Sequence, residues 1–268
     1  MRRHLYALTL ALAAGAAASA QTASTTKPPA RPAPTPVTAA NLDKYLKAWE
    51  AEMTKVTALS ATINRADKDK TFGTSSRYSG KAMYMKSGSG DNVLNLGLLE
   101  LSPEGKTEIA EKVVCTGTYL YQFAPAQKEV RAYEVPRGKK TGVGEDSFLS
   151  LLFGMKADQA KKRYELKAEE DQHYIYVHVT PRFRDDKAEF EKARLVLLKK
   201  NYMPRQLWFR HVNGSEVTWD IPKLETGVNL DRRYFDAPKP PPGWKLVTMN
   251  TKTNTTNPPP RVIRQNGK

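Results

Sequence analysis

Cysteine is nearly absent: Cys115 stands alone among 268 residues, so no intramolecular disulfide can form. Its neighbours Val113 and Val114 make it read as a small buried hydrophobe rather than a reactive thiol. Histidine is scarce as well, with four copies. His173 and His178 lie five residues apart on one extended stretch, which sends them to opposite faces and rules out a shared metal. No Gly-x-Ser-x-Gly elbow occurs, and the glycine- and lysine-rich stretch 138–144 lacks the Ser or Thr that a phosphate-binding loop requires after its Lys. Asp185-Asp186 and Glu169-Glu170-Asp171 read as solvated loop charges. These absences nominate no catalytic residue, no cofactor and no metal ligand.

Long apolar runs are missing too. The one candidate, Leu5 to Ala18, follows Arg2 and Arg3 and ends at Ala18-Ser19-Ala20. It is too short to cross a bilayer core of about 30 Å comfortably, and it has the layout of a secretory signal (residues 1–20) cleaved near Ala20. No Cys stands at that point to carry a lipid anchor. The mature chain is therefore expected to be exported and soluble.

What the sequence does have is positive charge, 43 Lys and Arg against 28 Asp and Glu, a net +15. Such a balance favours anionic partners: phosphorylated lipid headgroups, an envelope polymer or nucleic acid. The cations are scattered rather than blocked, which is also the pattern of a generally solvated basic surface.

Residues 21–40 are rich in Thr, Ala and Pro and read as an extended, disordered linker. Between residues 42 and 59, Leu42, Tyr45, Leu46, Trp49, Met53 and Val56 recur at helical spacing, with Asn41 as a candidate cap. Most of the chain beyond residue 59 alternates like strand. Runs are expected at 60–66, 71–86, 93–101, 107–115, 119–123, 130–135, 164–168, 174–180, 193–199, 205–212 and 216–221, with Asn213-Gly214 as a hairpin turn. Residues 145–153 read as a short helix, and the polar tail 250–268 as disordered. The fold class is α+β. About ten antiparallel strands form a strongly curved sheet, a half-open β-barrel over residues 41–249, with the long N-terminal helix and short helices covering its concave face.

A helix of this kind needs an apolar surface to lie on. The candidates for that surface are Leu46, Trp49 and Met53 on the helix, Tyr84, Tyr119, Tyr121 and Phe123 on early strands, Phe148, Leu151 and Leu152 on the short helix, and Leu207, Phe209 and Trp219 on late strands. These side chains form either a filled core or an apolar groove open to a ligand. A groove that hides ten methylenes of an acyl chain gains roughly 8 kcal/mol, a micromolar-scale affinity that needs no hydrogen bond.

Three strings carry a resemblance: Gly80-Lys81-Ala82-Met83-Tyr84-Met85-Lys86, the stretch from Thr116 to Pro125 with its alternating aromatics, and Tyr234-Phe235 followed by Pro242-Gly243-Trp244-Lys245-Leu246-Val247. In this order, after a signal and a long helix, they resemble the LolA-like family of periplasmic lipoprotein carriers, with the lipoprotein LppX, the sensor RseB and an uncharacterised planctomycete family among its relatives. The resemblance covers about residues 42–247. It implies a half-open barrel with helices across its mouth, and a soluble, monomeric periplasmic carrier for lipoprotein or lipid acyl chains. Such a carrier binds no nucleic acid and meets envelope membrane proteins or anionic lipid surfaces. The alternative within the same resemblance is an RseB-like sensing or scaffold module with no lipid cargo. Where the family places an arginine that bonds to the helical lid, this sequence has Lys86, and Ser87 replaces the proline after that arginine; lysine keeps the charge but not the planar fork.

Overall fold

A computed structural model describes residues 33–135 and 156–249. The signal, the tail and the helix expected at 145–153, with Phe148, Leu151 and Leu152, lie outside the described residues. Of the net charge of +15, the described residues carry 32 Lys and Arg against 26 Asp and Glu, a net +6.

Helix α1 runs over Ala39–Lys55. Its cap is Thr38 rather than Asn41: the Thr38 hydroxyl accepts from the Asn41 amide at 3.4 Å, so the helix starts at Ala39, two residues before that amide. It also ends at Lys55, because Ala58 and Leu59 already belong to the next strand. The disordered linker expected to reach residue 40 is likewise overturned at its end. Thr35 and Pro36 form a short strand, β1, paired with Glu170 and Glu169.

Beyond α1 the described residues form twelve further strands, where about ten were expected: β2 Ala58–Asp69, β3 Thr74–Ser87, β4 Leu94–Pro103, β5 Glu111–Cys115, β6 Tyr119–Ala124, β7 Glu129–Glu134, β8 Tyr164–Glu170, β9 Tyr174–Pro181, β10 Lys192–Leu198, β11 Pro204–Arg210, β12 Glu216–Thr226 and β13 Lys245–Met249. Helix α2, Ala157–Arg163, precedes β8, and α3, Arg184–Glu189, links β9 to β10. All thirteen strands form one sheet in the order β1-β8-β9-β10-β11-β12-β2-β3-β4-β5-β6-β7-β13. Each pairing is antiparallel except β7 with β13, and β1 and β13 do not meet, so the sheet curves without closing among the described residues.

Gly80 shows how tightly β3 and β4 approach. A Cβ built on it would lie 1.9 Å from the Glu100 carbonyl oxygen, which leaves room for glycine alone opposite the fully buried Leu101.

Because a strand sends alternate side chains to opposite faces, register sorts the apolar residues into two cores. The larger packs the stripe of α1 (Leu46, Trp49, Met53) against Leu59, Ala61 and Ile63 of β2 and the inward rows of β8 to β12, including Ile175, Leu195, Leu207 and Phe209. Leu46, Trp49, Met53 and Val56 together contribute on the order of 8 kcal/mol of apolar burial before ordering entropy is set against it. The smaller core lies on the reverse face, where Phe235 closes over Leu96, Leu98 and Val114.

Two carboxylates expected to be solvated loop charges are not so. Asp186, 3% exposed, takes a bidentate pair from the Arg163 guanidinium and ties α3 to the end of α2. Glu170 lies on β8, where it accepts from the Tyr45 hydroxyl at 2.7 Å and pairs with Lys199 at 2.6 Å. The Lys199 hydrogen bond, with that from Tyr45, holds this carboxyl below its ordinary range.

Candidate functional site: the face of the sheet beneath helix α1

The residues proposed for the groove do not share one surface. Leu46, Trp49, Met53, Leu207 and Phe209 meet in the larger core at 8% exposure or less, and Tyr84 and Trp219 pack against it partly buried. Leu46, Trp49, Met53, Leu207 and Phe209 fill the space beneath α1, so this half of the expected groove is core, and Tyr84 stands at its edge. Tyr119, Tyr121 and Phe123 are on the other side of the sheet. Val114 pairs Leu98 and Tyr121, so these three share the reverse face with Leu98, and Tyr121 packs on the smaller core. Phe123 stacks near Trp244, ring centroids 6.1 Å apart. Alternation alone could not reveal which parity faced the helix, since both parities of β5 and β6 carry apolar residues.

The inward face of this region is built by the opposite set, none of which except Tyr84 was expected there from the sequence. Tyr84 pairs Leu59 on one side and Gly97 on the other; Gly97 pairs Cys115, Cys115 pairs Leu120, and Leu120 pairs Tyr133. Leu99 and Val113 stand in the neighbouring row with Gln122. Tyr84, Leu99, Val113, Leu120 and Tyr133 are half-buried, in contrast to the sealed core beside them. The result is a half-buried, mainly apolar trough along the α1 side of β3 to β7, with Gln122 and Arg131 paired on the same face, and α1 itself has its main packing on the other half of the sheet.

Polar groups mark the border between filled core and trough. The Lys86 ammonium donates to the carbonyl of Thr54 in the last turn of α1 at 3.2 Å, and the Lys86 amide donates to Thr57 O at 2.7 Å. The residue at the lid-contact position thus touches the helix, at a carbonyl left unpaired by the helix end. Tyr84 donates to Asn95 Oδ1 at 2.7 Å. Burial pushes the Tyr84 phenol up to about 12. A raised folded value means stability that is complete below the ordinary phenol range and lost as pH climbs from about 10 towards 12. We expect Tyr84→Phe to flatten the alkaline fall in stability over that interval by one proton's worth of slope, measured as urea midpoints against pH.

At the far end of the inward face Trp219 serves a different purpose from lining a groove. Arg65, 4% exposed, lies between Tyr78 and Trp219 with its guanidinium carbon 4.5 and 5.1 Å from the ring centroids, and it pairs with Glu111 at 2.6 Å and Asp67 at 3.2 Å. Burial opposes this charge, but the Glu111 and Asp67 carboxylates outweigh it and raise the guanidinium pKa. Cys115 is buried, and burial raises its thiol pKa, so it is a poor nucleophile.

Among the described residues no group of three or more His, Cys, Asp or Glu is arranged to hold a metal ion, and no helix is long and apolar enough to cross a membrane. Two depressions open to solvent, about 610 and 420 Å³, are rimmed largely by polar residues at the turns between β2 and β3 and between β11 and β12 and along the start of β3, away from the trough.

No family model and no curated protein matches the chain. Solved structures do. An uncharacterised conserved protein from Thermus thermophilus aligns over 78% of this chain and 99% of its own at 11% identity, TM-score 0.46. The complex structure of Pseudomonas aeruginosa MucA/MucB aligns over 74% of this chain and 61% of that one at 11% identity, TM-score 0.42. A LolA superfamily protein from Nitrosomonas europaea aligns over 73% and 97% at 11% identity, TM-score 0.34. At these identities and scores the likeness adds nothing to the fold that the strand register does not already establish.

Proposed function

We propose that this is an exported, non-enzymatic binding protein that holds a hydrophobic, acylated ligand, a lipid or a lipoprotein's acyl chains, in the trough on the inward face of β3 to β7. The observation that supports it is the unequal filling of one face. Leu46, Trp49, Met53, Leu207 and Phe209 beneath α1 are 0–8% exposed, whereas Val113, Leu120 and Tyr133, further along the same face beside Gln122 and Arg131, are half-buried. An acyl chain laid along that row gains about 0.8 kcal/mol per buried methylene and needs no directional contact.

Titration of the mature protein with a fluorescent acyl-chain probe tests this. Micromolar binding is expected, weakened at least about ten-fold by Leu120→Lys, which places an ammonium in the trough. Binding unchanged by Leu120→Lys, with the variant folded, would move the ligand elsewhere.

One observation favours a second reading, a scaffold module without lipid cargo. β13 is an edge strand, its Leu246 is 53% exposed, and among the described residues no strand pairs its outer side. Recovery of one stoichiometric protein partner and no lipid would favour it.

A further inference from the structure

Three of the eight large apolar side chains exposed among the described residues stand on neighbouring connections at one end of the sheet. Register places the β2–β3, β9–β10 and β11–β12 connections side by side there: Lys192 pairs Arg210, Arg210 pairs Glu216, Glu216 pairs Lys68, and Asp69 pairs Thr74. Each connection carries one large apolar side chain outward, Phe72 at 72% exposure, Phe183 at 58% and Val212 at 65%.

These tips are held, not loose. Asp69 Oδ1 accepts from the amides of Thr71 at 2.7 Å and Phe72 at 3.0 Å, which fixes the turn that presents Phe72. The Lys70 amide donates to Ser215 Oγ at 3.2 Å, joining the first turn to the third. The His211 ring is hydrogen-bonded to Glu189 O at 3.0 Å and Arg210 pairs with Glu191, joining the third to the second. Ordering entropy for three apolar tips has therefore been met in the fold itself.

Charge on the same connections is unevenly matched. Asp186, Glu191 and Glu216 are taken up by Arg163, Arg210 and Lys68. Lys70, Arg182, Arg184, Lys187 and Lys192 are exposed and form no ion pair among the described residues; the other carboxylates on these connections are Asp185, Glu189 and Asp69, the last accepting from the Thr71 and Phe72 amides. Exposed Phe and Val ringed by long cationic side chains suit the boundary between headgroups and acyl chains, where the apolar tip enters and the cation stays with phosphate.

We infer that this end of the sheet docks on the surface of an anionic lipid bilayer, inserting Phe72, Phe183 and Val212 at the interface. Docking is separate from ligand uptake by the trough, so the two can fail independently.

Vesicle flotation of the mature protein tests it, with phosphatidylcholine alone and with added phosphatidylglycerol. Wild type should float with the anionic vesicles, less so in high salt. The triple variant Phe72→Ser, Phe183→Ser, Val212→Ser should float at least about ten-fold less, and Lys70→Glu with Arg184→Glu should shift the same way without touching the apolar tips. Tyr234→Ser with Leu246→Ser, exposed elsewhere, should leave flotation unchanged. Equal flotation of wild type and both tip variants would overturn the inference. So would wild type that self-associates without vesicles and becomes monomeric in the triple variant, which would assign the tips to a second copy.

Discussion

Trp49→Ala is expected to cost about 3–5 kcal/mol, a large fraction of the roughly 5–15 kcal/mol that holds an ordinary domain folded. Trp49 is 1% exposed at the centre of the α1 stripe, with Leu46 and Met53 a turn away on either side, and truncation leaves a cavity that rigid strands on the facing sheet cannot close. Its indole Nε1 is buried without a hydrogen-bond partner among the described residues. Trp49→Phe should therefore cost far less, roughly 1 kcal/mol or under, because the lost volume is partly offset by removing a buried unsatisfied donor. Urea unfolding followed by circular dichroism separates the two substitutions. A cost for Phe close to that for Ala would show that the indole N–H is satisfied after all.

The second large effect is expected at Arg65. Arg65→Met should destabilise by about 3 kcal/mol, because Glu111 and Asp67 lose their partner while Tyr78 and Trp219 lose the plane between them. Arg65→Lys should recover little of this, since an ammonium cannot stack on two rings and fork to two carboxylates at once. Arg65→Met combined with Glu111→Leu should regain much of the loss, as replacement of both members of a buried pair commonly does. A double variant no better than Arg65→Met would mean that the aromatic stacking, rather than the ion pair, carries the stability.

The helix and most strands were legible in the sequence, because a 3.6-residue stripe from Leu42 to Val56 and period-two runs such as Tyr174 to Thr180 are physical signatures of elements with one buried side. Caps and pairings were harder. Thr38 and Asn41 are both good caps, and the choice between them rests on where β1 delivers the chain. The parallel pairing of β13 with β7 depends on a return path from Phe235 through a run of prolines, which no local pattern encodes.

The candidate site was less legible for a specific reason. In β5 to β7 both parities are apolar: Tyr119, Tyr121 and Phe123 on one, Val113, Cys115, Leu120 and Tyr133 on the other. Only long-range register to Leu59 and Tyr84 decides which set lies inward, and the bulkier set lies outward. Arg65 carries a usable signal, an arginine at the position where the alternation of Leu59, Ala61 and Ile63 asks for another apolar residue. The family resemblance places Lys86 at a lid contact; in the structure its ammonium donates to the Thr54 carbonyl at the end of α1.

The central claim is that the trough holds an acyl chain. Native mass spectrometry of the mature protein, purified from its own envelope and followed by organic extraction, tests it most directly. The account predicts a folded species carrying the extra mass of a lipid or acylated molecule, lost in Leu120→Lys while the fold persists. A clean apo mass, together with no fluorescence gain from an added acyl-chain probe, would contradict it.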